Sequence, residues 1–125
     1  MERAEKNRRF LLGFFQALNS AEKKSEVLSR YITDPQLLEH FGFMENIIPR
    51  FRILVDEITA EEQRVIIKAR FSGVPEKELS VSENIEIPFA MGYYIEKEKI
   101  VNHWMITDKL AVLEQLGMGR IMPLK

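Results

Sequence analysis

The spacing of apolar residues divides the chain into a helical first part and an extended second part. Apolar residues recur at the i, i+3, i+4, i+7 spacing of one helix face at Leu11, Phe14, Phe15 and Leu18. We therefore predict a first helix from about Glu2 to Leu18. Asn19 and Glu22 form a weak capping box that predicts a second helix, whose buried side would hold Val27, Leu28, Tyr31 and Ile32.

A third helix is predicted to start at Asp34-Pro35. An aspartate N-cap followed by proline at the first helical position is a strong start signal. Gly42 is expected to end this helix, and a further short helix is expected from Phe43 to Ile48.

Runs with a period of two follow and predict strands over residues 51–56, 65–71, 85–95 and 100–107. Pro88, inside the longest run, requires a position such as a bulge or an edge. Beyond the last strand, leucines three residues apart predict a closing helix over residues 110–117. This order predicts one α+β domain over residues 1–125, in which helices cover one face of a curved antiparallel sheet and leave a conical cavity for a small apolar ligand.

Composition narrows the functional classes. The formal net charge of -1 provides no field that would attract nucleic acid or an acidic membrane. The chain has no cysteine, and His40 and His103 lack a metal-ligand spacing, so no metal site or cofactor is expected.

Arg8-Arg9 and the apolar run after it allow two interpretations. The segment resembles a twin-arginine leader, but its helical periodicity favours an amphipathic first helix. No stretch approaches the ~20 apolar residues that a membrane helix needs. We expect a cytoplasmic protein.

Asp108 lies where the last strand changes to a helical pattern, and two roles are open to it. It can be the N-cap of the closing helix, accepting N–H groups of the first turn. It can also be a proton-transfer group, if an apolar pocket raises the pKa of its carboxyl toward the working pH.

Three segments resemble one known family. Residues 31–40 read YITDPQLLEH, residues 51–68 form a hairpin pattern, and residues 100–117 read IVNHWMITDKLAVLEQLG. Together they resemble the SnoaL-like polyketide cyclases, or ester cyclases, of the nuclear transport factor 2-like superfamily. The chain departs from the family at Gly73-Val74-Pro75, where relatives commonly have Gly-Thr-His, and at Asn102, where they often have glutamate.

The resemblance implies a cone-shaped α+β fold and cofactor-independent acid/base chemistry, aldol cyclisation or isomerisation, on a small apolar carbonyl compound. The implied acid/base is Asp108, which strict alternation would place on one cavity-facing side of the strand with Asn102 and Trp104. Alternation would place His103 on the opposite, surface side.

Other candidates for the pocket have structural interpretations beside the functional ones. His40 can assist catalysis or simply hydrogen-bond the backbone. Trp104 and Tyr31 can line a pocket or belong to the core, and Phe14 and Phe15 are core or cavity wall.

The strand over residues 85–95 has a second, weakly polar face, from which we predict a homodimer through the sheet. The alternatives to an enzyme are a non-catalytic small-molecule binding module and a protein-interaction module of the same fold.

Overall fold

The computed structural model describes residues 2–75 and 84–108. Three helices come first, α1 (Arg3–Ser20), α2 (Lys24–Tyr31) and α3 (Pro35–Ile47). Four strands follow, β1 (Arg52–Glu61), β2 (Arg64–Gly73), β3 (Ile85–Glu96) and β4 (Lys99–Thr107), and they form one antiparallel sheet in the order β1-β2-β3-β4. The predicted α+β fold is therefore confirmed. The closing helix predicted over residues 110–117 lies outside the described residues, and the single domain over residues 1–125 stays a prediction.

The helix boundaries confirm one sequence signal and correct two. Asp34 caps α3 as predicted, accepting hydrogen bonds from the backbone N–H groups of Gln36 and Leu37. The capping box at Asn19 is wrong, because Asn19 lies inside α1 and its side-chain amide hydrogen-bonds both backbone groups of Ile53. Gly42 does not end α3 either. Glycine costs a helix only about 1 kcal/mol, which packing on both sides of it can offset.

A buried lysine joins the end of α1 to the start of α2. The Lys24 ammonium group donates to the carbonyl oxygen of Leu18 at 2.8 Å and lies 4.9 Å from the centre of the Phe51 ring. Burial lowers the pKa of Lys24, although the nearby charge of Glu45 acts against that shift. The positive charge stabilises the carbonyl end of α1.

The core lies between the helices and the inner face of the sheet, which is the face toward the helices. Alternate residues of β2 are buried on this face, as the sequence predicts. Aromatic rings form a chain of contacts from α1 to β3, with centroid distances from 4.3 to 6.1 Å between Phe14, Phe41, Phe51, Phe71 and Phe89.

A β-bulge reverses the orientation of side chains along β4. Ile100 pairs with Ile95 and is fully buried, but the next pair is Asn102 with Tyr94, so Val101 is an extra residue. From that point the odd-numbered residues face the helices and the even-numbered residues face outward. The faces that strict alternation predicts for the side chains beyond Val101 are therefore wrong, because an inserted residue moves every later side chain to the other face of the sheet.

The outer face of the sheet, which is the face away from the helices, carries exposed apolar residues. Trp104 is 36% exposed and Ile106 is 66% exposed. Pro88 lies beyond the last pair between β3 and β4, so it occupies an edge position, as predicted. Among the described residues, no helix has the length and apolar character that crossing a membrane requires.

Candidate functional site

A buried carboxylate and imidazole meet where α3 begins beside β4. The Nδ1 atom of His103 lies 2.6 Å from Oδ2 of Asp34. The two side chains are 3% and 9% exposed, respectively, so the pair is almost fully removed from water. A hydrogen bond this short between partly charged groups is a strong one. We call these residues the Asp34–His103 pair.

The hydrogen bonds of Asp34 define the protonation of the pair. Burial by itself would raise the pKa of the carboxyl, but the bond from His103 and the N–H groups of Leu37 and Gln36 outweigh it, and the pKa of Asp34 lies below its ordinary value. The carboxylate is therefore ionised at neutral pH and accepts the Nδ1 proton. In the imidazole tautomer that donates from Nδ1, the other ring nitrogen, Nε2, has the lone pair.

A second imidazole lies against the first. The ring centroids of His40 and His103 are 5.2 Å apart, and the rings are nearly perpendicular at 82°. His40 lies on α3 and is partly buried. One edge of the Asp34–His103 pair is thus lined by a group that can donate or accept a hydrogen bond.

The chain around the pair holds the two residues in register. Ile32 forms an isolated parallel bridge with Ile100, and the backbone N–H of Thr33 donates to the carbonyl of Ile100 at 3.0 Å. This fixes the α2–α3 junction against β4, and the bulge at Val101 then turns His103 toward Asp34. A structural function, tying the junction to the sheet, is therefore built into the same contacts.

Metal binding is not indicated in the described part of the chain. Residues 2–75 and 84–108 contain no group of three histidine, cysteine, aspartate or glutamate side chains arranged to hold a metal ion.

The bulge separates the residues that the sequence predicts to share one pocket. Of the predicted residues, His40 does lie at the Asp34–His103 pair, with its ring against that of His103. Asn102 and Trp104 are exposed on the outer side of β4, so their predicted direction into a cavity is wrong. Asp108 lies one residue beyond the end of β4 and is exposed. Trp104 is also not a core residue, because its ring covers Gly92 on the outer face.

The remaining candidates lie on α1 and at the end of α2. Phe14 and Phe15 are buried in the core, at 0% and 3% exposure. Tyr31 is half-buried between Phe10 and Phe14, with ring centroids 5.5 and 5.3 Å away. His103, predicted to be a surface residue, is instead the most buried polar side chain of the site. Asp34 carried a clear sequence signal as a helix cap, but no local pattern shows that its second oxygen meets a histidine 69 residues away.

Comparison with known proteins supports the fold. No protein-family model matches the sequence, and no curated protein matches it. Among solved structures, a candidate polyketide cyclase from Acidithiobacillus ferrooxidans is 21% identical, with a TM-score of 0.73 over 95% of this chain and 99% of that chain. A SnoaL-like polyketide cyclase from Agrobacterium tumefaciens is 17% identical, with a TM-score of 0.70 over 94% and 100%.

A third match is a protein with a ketosteroid isomerase-like fold from Catenulispora acidiphila, in complex with trimethylamine. It is 13% identical, with a TM-score of 0.68 over 90% of this chain and 96% of that chain. The chain thus has the fold of SnoaL-like polyketide cyclases and ketosteroid isomerase-like proteins, the nuclear transport factor 2-like fold. The resemblance stated from the sequence is confirmed at the level of the fold.

Proposed function

We propose that this protein is a cofactor-independent acid/base enzyme that acts on a small, largely apolar carbonyl compound, by aldol cyclisation or isomerisation. One observation carries the proposal: a histidine on the inner face of the sheet, bonded at 2.6 Å to an ionised, buried carboxylate. This arrangement provides a base with a fixed tautomer and a partner that stabilises its protonated form.

The reaction follows from the two nitrogen atoms of His103. Nε2 takes the proton from a carbon next to a carbonyl group, and the C–H electron pair becomes the enolate. Asp34 stabilises the imidazolium through Nδ1–H. In a cyclisation the enolate carbon attacks a second carbonyl carbon of the same molecule, and Nε2 returns the proton to the new alkoxide. In an isomerisation the proton returns to a different carbon. His40, whose ring lies 5.2 Å from that of His103, would hydrogen-bond one of the substrate oxygens.

This proposal moves the acid/base function from Asp108, the residue that the family resemblance implies, to His103. Asp108 lies one residue beyond the end of β4 and is exposed.

Proton exchange tests the proposal with simple carbonyl compounds in place of the natural substrate. Carbonyl compounds with acidic α-protons, including aromatic ketones and polyketide-like diketones, are incubated with the protein in D₂O, and deuterium uptake is followed by NMR. We expect wild-type protein to accelerate exchange in a subset of them. We expect His103→Asn to reduce that rate by roughly 10²–10⁴, because asparagine keeps a donor near the Nδ1 position but has no Nε2 base.

Asp108→Asn is the matched control and should leave exchange unchanged. Melting temperatures check that both variants are folded. Exchange that survives His103→Asn and disappears in Asp108→Asn would contradict the assignment and restore the role that the resemblance implies.

A protein-interaction function has its own supporting observation, the outer face of the sheet. Ile66 pairs with Gly92, which pairs with Trp104, so two exposed apolar side chains flank one glycine across three strands. Ile106 lies on the same face. Exposed apolar patches of this kind mark contact surfaces. We propose that a second copy of the chain covers this patch.

Light scattering tests the homodimer. We expect a mass of about twice the 14.7 kDa of one chain, at concentrations on the order of tens of micromolar. Ile106→Glu should shift the mass toward the monomer, whereas Gln16→Glu, at an exposed position of α1 away from the outer face of the sheet, should not. A monomer mass for the wild-type protein would contradict the proposal.

A further inference from the structure

A cleft separate from the Asp34–His103 pair lies where α1 and α2 meet the hairpin between β3 and β4. Its volume is about 540 Å³, and its lining residues are Lys6, Arg9, Phe10, Arg30, Tyr31, Lys97, Glu98 and Lys99. The cleft is open to solvent, with room for a small molecule on its surface. We call it the basic cleft, because five of its eight lining residues are cationic and one is acidic.

Of the five cations around the basic cleft, Arg9 has a carboxylate partner, Glu5 at 3.1 Å. Three others, Lys6, Arg30 and Lys97, differ from the cations on the outer face of the sheet. On the sheet, arginine and lysine side chains have carboxylate partners, such as Arg70 with Asp56 at 2.8 Å and Lys68 with Glu57 at 3.7 Å. The ion pairs of the described residues include none formed by Lys6, Arg30 or Lys97. A chain with net charge -1 therefore carries a positive region at this cleft.

One hydrogen bond and one tight turn hold the chain segments around the cleft. The Lys99 ammonium group donates to the carbonyl oxygen of Arg30, which joins the end of α2 to the start of β4. Lys97 and Glu98 form a two-residue turn with φ angles of 49° and 59°. Both φ angles are positive, as in the tight two-residue turn of a β-hairpin, and this turn joins β3 to β4 at the cleft.

The floor of the cleft is aromatic. Phe10 and Tyr31 have ring centroids 5.5 Å apart, and both are partly exposed while their inner edges pack on the core. An aromatic surface surrounded by arginine and lysine favours a ligand that has a flat apolar ring and an anionic group.

We propose that the basic cleft binds a small aromatic anion, with its ring against Phe10 and Tyr31 and its phosphate or carboxylate among Arg30, Lys97 and Lys6. The cleft is distinct from the acid/base site, since Lys99 and His103 are four strand residues apart, about 13 Å. Binding there does not depend on the chemistry proposed for His103.

Calorimetric titration with naphthyl phosphate tests the site. We expect saturable binding with one equivalent, weaker binding of inorganic phosphate and of neutral naphthylmethanol, and a loss of affinity when salt is raised to about 0.15 M. Inorganic phosphate or naphthylmethanol binding as tightly as naphthyl phosphate would overturn the combined ring-and-anion site, as would the absence of any binding.

Charge variants of opposite sign make the test sharper. Arg30→Gln and Lys97→Gln should each weaken naphthyl phosphate binding by about two- to fivefold, and Glu98→Gln should tighten it by a similar factor. Lys68→Gln, on the outer face of the sheet, is the matched control and should have no effect. His103→Asn should also bind normally, which separates this proposal from the catalytic one. Equal affinity in all of these variants would overturn the assignment of the cleft.

Discussion

Tyr93 offers a direct test of how the interior of this protein is built. Its side chain is fully buried on the inner face of β3 and packs against Phe15 at 6.0 Å between ring centroids. Its hydroxyl has no hydrogen-bond partner in residues 2–75 and 84–108. Burial also raises the pKa of this phenol strongly, so the group stays neutral.

Tyr93→Phe removes only the hydroxyl. The ring and its packing remain, so the apolar contribution is unchanged. What changes is the cost of burying a polar group without a partner, about 1–3 kcal/mol. We therefore expect the variant to be more stable than the wild type by that amount, which corresponds to a rise of about 4 to 12 °C in melting temperature for a chain of this size.

Urea and thermal unfolding measure the effect. Tyr94→Phe is the matched control, because Tyr94 is the next residue and faces the opposite side of the sheet. Removing the Tyr94 hydroxyl should change the free energy of unfolding by less than about 0.5 kcal/mol. A Tyr93→Phe protein that is less stable than wild type would refute the reasoning. Such a result would mean that the hydroxyl has a hydrogen-bond partner in solution, and a bound water or ligand beside the neighbouring His103 would then be the first one to test.

Three further predictions rest on single contacts. Gly92→Ala should displace the Trp104 ring, because the added Cβ would lie 2.3 Å from it. The chain has one tryptophan, so a red shift of its fluorescence reports the displacement directly. We also expect a loss of about 1 kcal/mol in the free energy of unfolding. Asn19→Ala should cost about 1–3 kcal/mol in urea unfolding, because it removes bonds of 2.9 and 2.7 Å to the Ile53 backbone. The pKa of Asp34 is lowered in the folded protein, so as the pH falls the Asp34 carboxyl is protonated in the unfolded chain before it is protonated in the folded one. The stabilisation is therefore complete above about pH 4 and is lost progressively below it. The stability difference between wild type and Asp34→Asn should therefore stay nearly constant from about pH 6 to about pH 4 and shrink below that, and a difference that does not shrink below about pH 4 would contradict this.

The sequence predicts the fold well because its signals are local. The apolar periodicity of α1, the Asp34-Pro35 start of α3 and the alternation in β2 each depend on residues a few positions apart, and the structure confirms each of them. Asn19 shows where local reasoning fails. It has the residue type of a helix cap, but it lies inside α1, and its side-chain amide hydrogen-bonds the backbone of Ile53, 34 residues away.

The candidate site could not be predicted for a related reason. The direction of every side chain beyond Ile100 depends on one extra residue at Val101, and a bulge has no reliable pattern in a single sequence. Strict alternation therefore places Asp108 inside and His103 outside, whereas the structure turns His103 inward. The pairing of His103 with Asp34 depends on tertiary contact, which periodicity does not contain.

The bulge at Val101 also limits how residue roles can be transferred between proteins of this fold. In a relative that lacks the extra residue, the amino acid aligned with His103 lies on the opposite side of its sheet. Two chains can then have the same histidine–tryptophan dipeptide at the same aligned positions. The histidine faces the helices in one chain, and the tryptophan faces them in the other. A deletion of one residue at this position would exchange the two faces of β4 in a single evolutionary step, bringing Trp104 and Ile106 inward and exposing the histidine. Counting residues between paired strands is therefore a stricter criterion of shared chemistry in this fold than identity at the aligned positions.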